Sequence, residues 1–167
     1  QACKKVEGIK VIESVIERCF DQLDADLMVS FEVVHLLFDP TSFLQSCFNK
    51  LRNNGILIFS LTNYHGFDIQ ILQDKSEYIT PTFLNLFNSE SISKLLESIG
   101  YRNIKISTPG LMDLQIIINK IKSGQLSESN LPLGKILTTC ETGFIAELQL
   151  LLQKYNLSSH MVVSAQK

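Results

Sequence analysis

Residues 26–40 read DLMVSFEVVHLLFDP. The first six, DLMVSF, form a short and mostly apolar run, which predicts a strand covered on both faces, as in a parallel sheet. Glu32 and His35 follow where that strand ends. Ligands of an open α/β sheet bind outside the carboxyl ends of its strands. A carboxylate and an imidazole at such an end are therefore candidate site residues. Pro40, Thr41 and Ser42 then open a helix whose Phe43, Leu44, Cys47, Phe48 and Leu51 share one face at helical spacing.

Outward from this segment, strands and helices alternate. Upstream, residues 9–12 (IKVI) predict a strand, and Ser14 with Glu17 forms a capping box for a helix over residues 15–23. Downstream, Gly55 is suited to a left-handed helix stop, and residues 56–61 (ILIFSL) predict the next strand. A turn-rich stretch, 62–88, leads to a helix opened by Ser89, with Ile92, Leu95, Leu96 and Ile99 on its face and Gly100 as its stop. Residues 103–107 alternate as a strand. Helical patterns cover 112–122 and then about 132–155, and residues 161–165 (MVVSA) close the chain as a last strand. The alternation defines an α/β layered sheet with mostly parallel neighbours.

Composition narrows the partners. The chain has 167 residues, 45% of them hydrophobic and 19% charged, which is enough for a substantial core without disulfides or metals. A net charge of −2 gives no electrostatic case for nucleic acid or an anionic membrane. No apolar run approaches the 18 or so residues of a membrane span, and the N-terminus lacks a signal-peptide pattern. Cys3, Cys19, Cys47 and Cys140 form no CxxC pair and have no histidine at ligand spacing. They read as reduced, core or half-buried thiols in a cytoplasmic protein with no metal site.

Six pieces in order resemble class I S-adenosylmethionine-dependent methyltransferases of the ubiquinone-biosynthesis type. They are IESVIE (12–17), DLMVSFEVV (26–34), LRNNGILI (51–58), TNY (62–64), FLNLF with SES (83–87, 89–91) and the closing strand 161–167. The resemblance implies a Rossmann-like sheet, mostly parallel with an antiparallel terminal strand. Residues 1–167 would then be one domain holding strands three to seven, with a helical insertion at about 111–157. It also implies S-adenosyl-L-methionine as cofactor and a small-molecule methyl acceptor. The family's glycine-rich turn has no counterpart here: the eight glycines are dispersed and no GxGxG occurs. The expectation is a chain that begins at strand three.

By the resemblance, Glu13, Ser14 and Val15 border the adenine, although Ser14 is equally explained as a helix cap. Phe31 and Glu32 face the cofactor; Asn63, Tyr64 and Phe87 face the substrate. Phe83, Asn85 and Phe87 would form a substrate lid, or else ordinary core. Glu32, His35 and His65 are the candidate bases. The family reads Glu-His where this chain has His35-Leu36, and Leu36 has neither proton nor lone pair to offer. His35, one position early, reads as a surface histidine, and His65 as ordinary turn chemistry. Leu148, Leu151, Leu152 and Tyr155 give the last helix an apolar face that needs this domain or, as a homodimer, a second copy. The competing readings are a catalytically silent methyltransferase-like binding module and a nucleotide-binding oxidoreductase.

Overall fold

A computed structural model describes Gly8, residues 24–131 and residues 133–167. Within these, four strands form one sheet: β1 (Ala25–Phe31), β2 (Leu51–Thr62), β3 (Arg102–Ser107) and β4 (His160–Gln166), in the order β1-β2-β4-β3. β1 and β2 are parallel, and β4 lies antiparallel between β2 and β3. The α/β sheet with an antiparallel terminal strand is therefore present as expected. The anticipated strand 9–12, the helix 15–23 and the candidates Glu13, Ser14 and Val15 lie outside the described residues.

Strand period explains the main core. Alternate side chains of a strand point to one face, and the register pairs Leu57 with Ala165, Phe59 with Val163 and Leu61 with Met161. All six are essentially inaccessible. Against them pack Phe43, Leu44 and Cys47 of α1 (Pro40–Lys50) and Ile92 and Leu96 of α3 (Ser89–Ile99). Burying each large apolar side chain stabilises by about 1.5–3 kcal/mol. Both helices are capped locally: the Asp39 carboxylate accepts from the Ser42 N–H at 2.9 Å, and Asn88 forms a capping box with Ser91. Gly100 ends α3 with φ +110°, a conformation open to glycine at no steric cost. The Tyr101 hydroxyl donates to the Leu44 carbonyl at 3.1 Å and ties α1 to the residue after α3.

The opposite face differs from expectation. Leu27, Val29 and Phe31 of β1 are 53%, 49% and 66% exposed. Among the described residues, β1 is thus covered on one face only. The helix stop at Gly55 is also replaced. α1 ends at Lys50, β2 begins at once, and its register against β1 jumps between Leu51 and Ile56. Asn54, with φ +65°, takes the left-handed place in that irregularity. Gly55 is needed for closeness instead: a Cβ there would lie 2.9 Å from the Arg52 carbonyl.

The turn-rich stretch contains a short helix, α2 (Phe67–Leu72), that periodicity did not reveal. Among the described residues, three α-helices rather than two stand between β3 and β4: α4 (Asp113–Lys122), α5 (Gly134–Thr139) and α6 (Thr142–Lys154). They share a second core with α2, centred on Leu72, Leu114, Ile117, Leu137 and Leu152. Leu148 and Leu152 of α6 pack into it, whereas Leu151 and Tyr155 remain exposed. Cys47 is buried, but Cys140, between α5 and α6, is exposed and not half-buried as its apolar context implied.

Candidate active site

Because β4 runs against its neighbours, its first residue lies at the carboxyl edge of the others. His160 pairs with Thr62, the last residue of β2. Glu32, the residue after β1, has φ +53°, a left-handed backbone uncommon for a non-glycine residue. Its N–H donates to the Ser60 carbonyl at 3.1 Å, and the Ser60 hydroxyl returns a bond to Glu32 Oε1 at 2.6 Å. His160 Nδ1 stands 3.5 Å from the same carboxylate oxygen. Glu32 and His160 are each about half exposed, so the pair is open to a ligand. Phe31 is open beside them.

His35 proves to be interior. It sits on a single 3₁₀ turn, Val34–Leu36, is 2% exposed, and stacks on Phe83 with ring centroids 4.7 Å apart and planes 7° from parallel. The Asn85 N–H donates to the His35 carbonyl and the Asn85 side chain donates to Leu37 O, which fastens the 83–87 segment over this turn. Burial lowers the His35 pKa, and the nearby Glu32 charge offsets this only in part. Its Nδ1 has no hydrogen-bond partner. The expected surface histidine is thus a buried, neutral ring, while Leu36 beside it is 42% exposed.

The turn after β2 is fastened by its own side chain. Asn63 is fully buried, and its amide donates to Asn156 O at 3.1 Å and Ser158 O at 2.9 Å while its oxygen accepts from the His65 N–H. Both amide protons are thereby used on backbone. The half-buried Tyr64 donates its N–H to Phe87 O at 2.7 Å, and Phe87 packs on the main core. His65 is exposed, with Nε2 at 3.3 Å from the Asn88 amide.

Beneath this edge lies a polar knot. Asp113, at the start of α4, accepts from the Ser158 hydroxyl, the Ser159 N–H and the Gln149 amide, each at 2.6 Å. Burial alone would raise its pKa, but these donors outweigh it and leave the carboxyl below the usual range. Gly66 and Gly110 make the knot possible, since a Cβ on Gly66 would collide with the Ser159 backbone and one on Gly110 with the Ser158 hydroxyl. Asp68 of α2 has the opposite environment. It is completely buried, and neither carboxylate oxygen has a donor in bonding geometry. Burial, then the neighbouring Asp113 charge, pushes Asp68 up to about 7, with only partial relief from the Ser159 hydroxyl and the Ile69 N–H.

Two clefts adjoin at Tyr78 and Ile116. One, of about 310 Å³, is walled by Asp68, Ser76, Glu77, Asn119 and Lys120. The other, of about 390 Å³, is walled by Asp113, Ser159 and His160. His160, Asp68 and Asp113 were not singled out from sequence. The signal for His160 was available: an antiparallel last strand places its first residue at the carboxyl edge. Asp68 and Asp113 offered only a lone acid between apolar neighbours, Phe67-Asp68-Ile69 and Met112-Asp113-Leu114.

A mostly parallel sheet whose last strand enters antiparallel between its neighbours, with candidate groups gathered at the carboxyl edge, defines a Rossmann-like domain of the methyltransferase class. Residues 5–106, more than half of the chain, match the family described as Methyltransferase domain, and the chain belongs to that family. A probable S-adenosylmethionine-dependent methyltransferase of Mycolicibacterium smegmatis is 28% identical over 76 residues, covering 46% of this chain and 28% of that protein. The matched region thus spans little more than a quarter of that relative's length. A SAM-dependent methyltransferase from Archaeoglobus fulgidus superposes with a TM-score of 0.59 at 17% identity, covering 96% of this chain and 68% of the other. One from Thermotoga maritima gives 0.58 at 13% identity, covering 96% and 64%. These two structures share the fold. Among the described residues no helix is long and apolar enough to cross a membrane.

Proposed function

We propose that this domain serves S-adenosyl-L-methionine-dependent methyl transfer to a small-molecule acceptor. The observation that carries the reading is the Glu32–Ser60–His160 contact, which gathers three strands at the edge where such a sheet binds ligands. The open Phe31 ring and Glu32 carboxylate fit a cofactor lying across that edge, with Glu13, Ser14 and Val15 bordering its adenine as the resemblance implies. TNY at 62–64 and FLNLF at 83–87 are the pieces that support the ubiquinone-type branch.

The cofactor supplies a methyl carbon activated by a positively charged sulfur. The protein's task is then largely to hold an acceptor lone pair in line with it. The adjoining clefts provide the room; Tyr64 and Phe87, which the resemblance assigns to the substrate side, line neither cleft. With Nδ1 facing Glu32, His160 keeps Nε2 for a proton that the acceptor must give up, a general-base role suited to imidazole. Asn63 acts here as a positioning residue through its grip on residues 156–158.

Calorimetric titration of S-adenosylhomocysteine into this chain, and into any longer product of the same gene, tests the reading. Glu32→Gln should weaken binding by about tenfold, the scale of one lost charge-assisted contact. No heat and no thermal shift from either protein would refute the enzyme and favour a methyltransferase-like binding module.

A further inference from the structure

We propose that the adjoining clefts around Tyr78 bind a small cationic amine, its ammonium held by the field of Asp68 and Asp113 and its body laid against the Tyr78 ring. The walls carry a surplus of negative charge. Asp68 and Glu77 line one cleft, Asp113 lines the other, and Glu32 stands behind His160. Lys120 also lines the first cleft and pairs with Glu77 at 3.5 Å and with Gln125 at 3.2 Å, so the Lys120 and Glu77 charges offset and the surplus is that of Asp68 and Asp113. Among the described residues no lysine, arginine or histidine pairs with Asp68 or Asp113.

Asp68 is what separates this place from an ordinary acidic surface. It is 0% exposed, it forms part of the cleft wall, and neither of its oxygens has a donor in good bonding geometry, the nearby Ser159 hydroxyl and Ile69 N–H giving only partial relief. A buried carboxylate with only weak donors and no counter-charge is costly. A cation in the cleft removes that cost, a neutral alcohol does so only weakly, and an anion makes it worse. Tyr78 adds the second element of cation recognition, an aromatic ring at the junction of the two clefts. The resulting preference is for a positively charged ligand of modest size. Its use as methyl acceptor rests on the function proposed above; its binding does not.

The test is calorimetric titration of phenethylamine against its neutral isostere phenethyl alcohol, with a thermal melt to confirm that each variant is folded. The amine should bind about tenfold tighter than the alcohol, and Asp68→Asn should erase most of that preference. Tyr78→Leu should cost the amine about threefold to tenfold. Glu77→Gln, whose side chain is largely exposed and outside either core, should cost it about twofold. Equal binding of amine and alcohol, or a folded Asp68→Asn variant that keeps the preference, would overturn the proposal. Titration of S-adenosylhomocysteine into the same samples separates the two readings. Amine binding without cofactor binding would leave this site standing and remove methyl transfer, and the reverse would remove this site alone.

Discussion

Replacing Asp68 by Asn should stabilise the protein at alkaline pH and leave it little changed in acid. In the folded chain burial and the Asp113 charge lift the Asp68 carboxyl from 3.8 to about 7. Between those values the folded state holds a proton that the unfolded state has released. Stability therefore falls as pH rises from about 4 to about 7 and levels off above, following the difference in bound protons. A rise of about three pH units, at 1.36 kcal/mol each, sets a ceiling of about 4 kcal/mol. Relaxation of the site would reduce this to roughly 2–4 kcal/mol. Asparagine does not titrate, and its amide can donate toward the Asp113 carboxylate. Urea unfolding of both proteins across this range reads the effect as the difference between their stabilities. In that difference the separate loss from His35 drops out. Its pKa is depressed, so the stability it contributes is present above its unfolded value and lost as pH falls through that value toward the folded one. A pH-independent difference, or an Asn variant less stable than the parent at alkaline pH, would show that Asp68 is ionised and satisfied, and the reasoning would fail.

Gly66→Ala should destabilise by about 1–3 kcal/mol, because the added methyl group meets the Ser159 backbone rather than a flexible side chain; a change within a few tenths in denaturant titration would contradict this. Burial pushes the Cys47 thiol up to about 12 while Cys140 is exposed, so a thiol reagent followed by peptide mapping should label Cys140 promptly and Cys47 only on unfolding. Tyr101→Phe removes the donor to Leu44 O inside the core and should cost about 1 kcal/mol, with the m-value unchanged. Equal stability of that variant would mean the carbonyl finds another donor.

Where local pattern suffices, sequence and structure coincide. The α1 and α3 faces, the left-handed Gly100 stop, the β2 strand after residue 55 and the closing strand follow from side-chain period and caps, which depend on neighbours a few residues away. By themselves these determined the α/β class and the order of elements, and the family resemblance followed from pieces in that order. Only the tertiary structure decided which polar groups are buried. His35 lies inside because Phe83 stacks on it and Asn85 pins its turn, contacts made across some fifty residues of chain. The Asp68 environment exists because α2, α4 and the start of β4 converge, with Gly66 letting Ser159 come close. His160 meets Glu32 because β4 enters antiparallel beside β2, 128 residues further along the chain. Strand and helix period is written in adjacent residues; desolvation and charge proximity are properties of residues that only folding brings together.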